Sequence, residues 1–366
     1  MACTNKGTMA ETDGQGVTVR HFGFPRWTVT VGMSAQSFPL LRLPLVALAE
    51  VIKIISLKQL VPLSLCSKRM HFVVKKYRNK SSQLVLNLRS QRDSEINIFY
   101  RGFQYSDGLM VRVVSEEFAE GWRTDRIGGT VVKVMETERE LVTYWEDLVY
   151  GSKSMIDYIC HLFGIPVTTV TIAENITWPL DFVEERQGPS SYRAVIGVPG
   201  DWATISEENF RHILTNNNPS FIRLNQMPTH RFRIENFNKR YDTFDLVFGN
   251  WLTLDNLCTL DCIEIVCSGK RFTEAELNRY FKHVLAGGSP RLKRCRIYVM
   301  NGNENVVLDG IQDLLRPIPG KESFSNDDTT WLLQGKLNRG DDSMQVTFKG
   351  WREENRIDLL FETCLE

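Results

Sequence analysis

Between Phe38 and Lys80 apolar residues recur at the spacing of an α-helix, and from Leu84 onward the period shortens to two. Leu43-Pro44 opens the helical stretch, since proline's fixed φ suits a first helical turn. Leu45, Leu48, Ile52 and Ile55 then fall on one face, which Val51 widens. Ser56-Leu57-Lys58-Gln59 has the form of a capping box and starts a second helix carrying Leu60, Leu63 and Leu65. Pro62 removes a backbone donor inside that helix, at a cost of about 3 kcal/mol in a helix interior, so the helix is expected to be short or kinked. A third helix from about Ser67 sets Met70, Val73, Val74 and Tyr77 against Lys68, Arg69, Lys75, Lys76 and Arg78. Three such short helices cannot bury all these faces among themselves, so a partner or the next domain must cover some of them.

The period-two runs Leu84–Leu88, Ile96–Phe99, Met110–Val114 and Val131–Val134 predict strands, with turns at Asp107-Gly108 and Gly128-Gly129. After Glu140 one arrangement recurs: a helix, a residue followed by proline, then an apolar strand. It occurs at Met155–Phe163, Ile165-Pro166 and Val167–Ile172; at Glu207–Leu214, Asn218-Pro219 and Phe221–Leu224; and at Glu274–Leu285, Ser289-Pro290 and Leu292–Val299. Its prolines are too irregularly spaced for a strict solenoid, but they suggest stacked strand and helix units with insertions. Cys262–Val266, Met344–Phe348 and Ile357–Phe361 add strands, and Arg316–Asp328 reads as a loop.

The pattern therefore predicts an α+β or α/β chain: an N-terminal three-helix module, then an irregular strand-helix array around a mixed sheet, loosely leucine-rich-repeat-like. Residues 1–36 read as a disordered leader, despite the strand-like run Trp27–Val31. Residues 37–80 form the helical module, 81–140 a β-rich connecting region and 141–361 an α/β domain, with 82–361 also readable as one unit.

At 366 residues, 42% hydrophobic and 24% charged, the chain is ordinary for a globular protein and large enough for two or three cores. Charge is balanced overall, 44 basic against 44 acidic side chains, yet residues 37–80 hold nine basic residues and one acid, Glu50. An acidic partner would be steered to that segment. The first residues lack the apolar core of a signal peptide, and Leu40–Leu60 contains Arg42, Glu50, Lys53 and Lys58, so neither secretion nor a membrane span is expected. Eight scattered cysteines read as reduced thiols, placing the chain in the cytoplasm or nucleus.

Candidate chemistry is sparse. Cys258, Cys262 and Cys267 are not spaced like paired zinc knuckles, no nearby histidine completes a set, and strand alternation should scatter them across faces. No metal or cofactor is expected. The six histidines (His21, His71, His161, His212, His230, His283) are dispersed and read as surface or satisfied core residues. No nucleophile elbow, His-Glu-x-x-His, Walker loop or dinucleotide fingerprint occurs, so the chain is expected not to be an enzyme. The basic run Lys68–Lys80 reads as a solvated face rather than a nucleic-acid site, and Trp251 and Trp331 as core aromatics.

Phe38-Pro39-Leu40-Leu41-Arg42-Leu43-Pro44, then Ala47-Leu48-Ala49-Glu50-Val51, Leu60, and Leu63-Ser64-Leu65-Cys66-Ser67-Lys68-Arg69 follow in an order and spacing that resemble the F-box motif. The form is similar to that of a family much expanded in nematodes, which carries an associated domain behind the F-box. Trp251-Leu252-Thr253-Leu254, Leu260-Asp261-Cys262, Leu277–His283 and Gly287–Leu292 resemble motifs of the type 2 associated domain, and Arg339-Gly340-Asp341 its terminal turn. Pro62 and Val284, where that family usually has tryptophan, depart from the pattern. The resemblance implies a substrate receptor whose F-box binds a Skp-family adaptor, and through it a cullin scaffold, while the remainder holds an unknown protein target. The implied adaptor-binding residues are Leu43, Pro44, Leu48, Val51, Ile52, Leu60, Leu63, Leu65, Cys66 and Lys68. A competing reading is a scaffold whose F-box-like helices merely pack on its own sheet.

Overall fold

The computed structural model describes residues 40–366 apart from 79–83, 103–107, 116–120, 139, 198–204, 227, 230, 269–271, 301–302, 319–323, 327–329, 340–341, 354–355 and 366. The leader, the run Trp27–Val31 and the turn at Gly340-Asp341 lie outside the described residues. Leu40–Arg42 forms a single 3-10 turn, closed by the Leu43 amide on the Leu40 carbonyl at 3.2 Å. Pro44–Glu366 forms one unit.

Within it, helices occupy Leu45–Ile54 (α1), Leu57–Leu65 (α2), Lys68–Tyr77 (α3), Leu148–Phe163 (α4), Trp178–Gln187 (α5), Glu207–Asn216 (α6), Leu254–Thr259 (α7), Glu274–Leu285 (α8) and Glu304–Val307 (α9). Strands occupy Leu84–Ser90 (β1), Ser94–Tyr100 (β2), Leu109–Val114 (β3), Arg123–Ile127 (β4), Thr130–Glu136 (β5), Glu140–Tyr144 (β6), Thr169–Ile172 (β7), Arg193–Ile196 (β8), Phe221–Leu224 (β9) and Arg240–Leu246 (β10). Asp261–Cys267 (β11), Arg294–Met300 (β12), Phe324–Asn326 (β13), Thr330–Arg339 (β14), Asp342–Glu353 (β15) and Arg356–Leu365 (β16) complete them.

Local chemistry explains most boundaries. Side chains of Ser67, Asp147 and Ser206 accept the amides of Met70, Tyr150 and Asn209, and Thr253 and Thr273 make full capping boxes with Asn256 and Glu276. Gly164, at φ +65°, ends α4 in the left-handed conformation that glycine adopts without steric cost. The capping box expected at Ser56 does not form: the Ser56 hydroxyl donates to the Gln59 amide oxygen at 3.2 Å, so neither side chain caps the backbone. α2 continues through buried Pro62 but stops after nine residues.

The strands form a single sheet in the order β13-β14-β15-β16-β12-β11-β10-β9-β8-β7-β1-β2-β3-β6-β5-β4. From β7 to β12 each new strand is parallel to the last and is added on the same side of it. Right-handed crossovers then place every connecting helix on one face. This is the arrangement anticipated from the helix, X-Pro, strand recurrence, and α4-β7, α6-β9 and α8-β12 are its three instances.

One line of side chains in register runs through thirteen strands: Leu141, Val111, Ile96, Leu88, Val170, Ala194, Ile222, Phe244, Ile265, Cys295, Phe361, Phe348 and Leu333. All are at most 2% exposed. On the helix side of this line sits the core, including an edge-to-face cluster in which Trp251 meets Phe210, Phe232 and Phe237 at 5.5–5.9 Å.

Several elements escape the apolar pattern. β4, Arg-Thr-Asp-Arg-Ile, is polar because it is an edge strand, where charge discourages further pairing. α5 and the four-residue β8 leave too few apolar positions to show a period, and β10 interleaves its buried Tyr241, Phe244 and Leu246 with charged residues. Within the Arg316–Asp328 loop, β13 pairs with β14 over three residues. Cys262 and Cys267 are both buried although five positions apart, because the burial alternation of β11 slips between Ile263 and Glu264.

Phe244→Ala, which empties the centre of the buried line, is expected to cost about 3–5 kcal/mol in denaturant unfolding. Thr243→Ala, on the other face of β10, should cost less than about 1 kcal/mol.

Candidate functional site

The helices α1–α3 turn their larger apolar side chains inward. α2 packs against β3, β4 and β6, and α3 against α1, α2 and α4. Of the expected adaptor-binding residues, Leu48, Ile52, Leu60 and Leu65 lie in this inner layer, at 2%, 0%, 0% and 8% exposure. Leu43, Val51 and Leu63 are half-buried, whereas Pro44, Cys66 and Lys68 are exposed. The list thus divides between core and surface, since a motif's spacing does not say which side of each helix the sheet will claim.

Four large apolar residues that the motif reading left off its list face outward: Leu45 (63% exposed), Val46 (77%), Ile54 (82%) and Phe72 (60%). Among the described residues they are four of the nine large hydrophobic side chains so exposed. All four fall within one small module, Leu45, Val46 and Ile54 on α1 and Phe72 on α3. Val46 and Ile54 stand off the Leu48-Ile52 stripe, beside the exposed Glu50–Lys53 pair at 2.8 Å, and an apolar residue on a polar helix face was the legible signal.

Two joints fix the module, one to the sheet and one to α4. Arg78 donates to the carbonyls of Lys53 (2.9 Å) and Ile55 (3.3 Å) at the end of α1, and to the Tyr100 hydroxyl on β2. The second joint is a proton chain. The Ser64 hydroxyl donates to the Val61 carbonyl (2.6 Å), so the Tyr158 hydroxyl donates to Ser64 (2.7 Å), and His71 Nδ1 must carry the proton it gives to Tyr158 (3.2 Å). His71 also stacks on His161 at 5.6 Å, and Lys75 donates to His161 Nε2 at 2.8 Å. These two histidines, 90 positions apart in a dispersed set, meet only because α3 packs on α4. Burial, then His161, then Lys75 lower the His71 pKa, and burial raises that of Tyr158 to about 12. A cleft of about 710 Å³ opens beside this chain, lined by Cys66, Lys68, His71, Asp125 and Tyr158.

Farther along, residues 229–297 supply Phe232, Phe237 and Trp251 to the aromatic cluster, and Leu277, Tyr280, Phe281 and Val284 as the buried face of α8. Asn256 donates to the Ile234 carbonyl (3.1 Å), and Asn278 to those of Val307 (2.9 Å) and Asp309 (2.8 Å), so buried amides tie the loops to the helices. Cys262, Cys267 and Cys295 are buried, and burial pushes the Cys262 thiol up to about 12. Cys262 and Cys295, both raised chiefly by burial, stay protonated near neutral pH. Among the described residues no group of three or more His, Cys, Asp or Glu is placed to hold a metal ion, and no helix is long and apolar enough to cross a membrane.

Comparison with known families places names on these regions. A family described as F-box domain matches residues 40–82, and one described as F-box associated matches residues 229–297. The chain carries an F-box and, behind it, an F-box-associated domain of type 2. The F-box match spans α1–α3, and the associated match runs from the aromatic cluster to β12. Val284, where tryptophan is usual in the resembled family, is 2% exposed in the core. No curated protein matches the chain. A solved S-adenosylmethionine-dependent methyltransferase from Clostridium acetobutylicum is similar at 12% identity over 58% of this chain and 72% of its own. Its TM-score of 0.13 carries no argument about fold or activity.

Two outcomes test the joints. Arg78→Ala is expected to destabilise the chain by about 1.5–3 kcal/mol, the range for hydrogen bonds made by a charged group, with Arg78→Lys recovering little because an ammonium cannot span the same acceptors. The folded chain binds the His71 proton less readily than the unfolded one. Its contribution is therefore complete above the unfolded pKa of about 6.5 and is lost as pH falls toward the lowered folded value. The melting temperature should drop between about pH 7.5 and 5.5, and drop less in His71→Gln.

Proposed function

We propose that the chain is the target-binding subunit of a Skp-cullin-F-box type ubiquitin ligase. Its F-box binds a Skp-family adaptor, the adaptor binds a cullin scaffold, and the domain behind the F-box holds a protein target. The observation that carries this reading is the outward apolar set Leu45, Val46, Ile54 and Phe72 on a segment that matches the F-box domain. Apolar side chains of that size, buried at the centre of an interface, supply most of its binding energy. The basic excess of residues 37–80 would speed encounter with an acidic adaptor.

In this role the chain performs no chemistry. Holding the target beside the charged ligase partner raises its effective concentration, and that proximity accelerates transfer. A cytoplasmic or nuclear setting follows from the role, with neither nucleic acid nor membrane required.

The competing scaffold reading draws on the inner layer of the module, in which α2 packs on the chain's own sheet and α3 packs on α1, α2 and α4. Val46 and Ile54 lie off the inner Leu48-Ile52 stripe, so inward packing leaves them available. Capture on an immobilised Skp-family adaptor decides between the readings. Wild type should be retained, and Val46→Asp with Ile54→Asp should lower retention about tenfold or more while leaving the melting temperature within about 2 °C, since both side chains are exposed. Absence of wild-type capture, or equal capture of the double variant, defeats the receptor reading. Leu48→Ala serves as the folding control, because it empties the module's own core.

A further inference from the structure

The sheet face opposite the crossover helices is lined by the side chains that alternate with the buried line, and its charges fall into two regions. On β10 and β12, Arg240 pairs with Asp261 at 3.5 Å, and Arg294 with Glu264 at 3.2 Å and Glu362 at 3.1 Å. On β8 and β9 the balance differs. The exposed Arg193 guanidinium lies over the Phe221 ring, 4.0 Å from its centroid, with no carboxylate paired to it among the described residues. Stacking occupies the flat face of a guanidinium and leaves its in-plane N–H donors available for a carboxylate.

Arg223, two residues beyond Phe221, is exposed and held by Asn225 Oδ1 at 3.0 Å and Asp245 at 3.5 Å. Both contacts use Nε, so its terminal nitrogens have no acceptor among the described residues. Each arginine is therefore fixed by one part of its head group and open at another. Fixing the side chain beforehand reduces the entropy lost when a ligand is bound.

The register pairs Arg193 with Phe221 and Val195 with Arg223. The two arginines are thus diagonal neighbours on one face, about 7–8 Å apart at the backbone. Carboxylates two residues apart in an extended chain are about 6.6 Å apart, so such a segment can meet both.

We infer that Arg193 and Arg223 form the target-binding site on the open sheet face, and that its occupant is an extended acidic segment carrying two carboxylates two residues apart. This deepens the receptor reading and rests on it. A carboxylate can engage the open edge of each guanidinium, and Phe221 and Val195 supply apolar footing.

The test uses the purified full chain and a labelled peptide, Gly-Ser-Glu-Ser-Glu-Ser-Gly, in fluorescence anisotropy at low ionic strength, with the glutamine counterpart as the neutral probe. The acidic peptide should bind, weaken as salt is added, and lose about tenfold or more in affinity in Arg193→Glu with Arg223→Glu. Arg126→Glu on the edge strand β4 should leave binding unchanged. Equal binding of the glutamine peptide, full binding by the double variant, or no binding of the acidic peptide overturns the site. Adaptor capture is measured on the same preparations. Capture without acidic-peptide binding overturns this inference alone, whereas acidic-peptide binding without capture supports the site and overturns the receptor reading.

Discussion

The structure depends on one line of buried side chains that crosses the sheet from Leu141 to Leu333. Each of these thirteen strands contributes one member, in register with its neighbours, so each is held by two backbone ladders and by the apolar layer beneath it. A shift of one residue in any strand would turn its buried member to the other face and bury an outward neighbour, such as Asp245 for Phe244 or Arg223 for Ile222, in its place. Strands as short as β7, β8 and β9, four residues each, would not persist alone, and the continuity of this line keeps them in position.

That line also explains why the F-box and the associated domain belong to one unit here. The first six strands extend the same sheet that the crossover array builds, and α2 and α4 cover them on the buried face. The F-box is therefore seated on a sheet edge region through α2, Arg78 and the Ser64-Tyr158-His71 chain, rather than hung on a linker. In the proposed receptor role a rigid seat would matter, because proximity accelerates a reaction only when the held group is presented in a reproducible geometry. The other sheet face remains polar and uncovered by the crossover helices, and it is there that held but incompletely satisfied arginines occur.

Titratable groups in the interior are kept neutral by the same burial. Cys160 is raised to about 11 and Cys262 to about 12, and Tyr192, Tyr241 and Tyr280 are raised as well, in each case chiefly by desolvation. Removing water penalises the charged form of an acid, so these thiols and phenols act as packing groups with a polar handle. His71 shows the converse for a base: desolvation and two basic neighbours lower its pKa, and its neutral form takes part in the joint between α3 and α4.

What the sequence determined by itself was whatever local periodicity and local caps encode. Helical spacing located α1–α3, period-two runs located β1, β2, β3 and β5, and the X-Pro recurrence located three of the strand-helix units, because these signals act over a few residues. The F-box residues themselves were legible from order and spacing. Tertiary structure decided which side of each helix became core. Leu48 and Leu60 look equivalent to Val46 and Ile54 in hydrophobicity, and the packing of neighbouring elements decides which of them are buried. It also decided every contact between distant positions: His71 with His161, Arg78 with Tyr100, and Arg193 over Phe221. Polar strands such as β4 and β10 were silent for the same reason, since an edge or an open face asks for no apolar pattern, and pairing is enforced by neighbours that the local sequence does not contain.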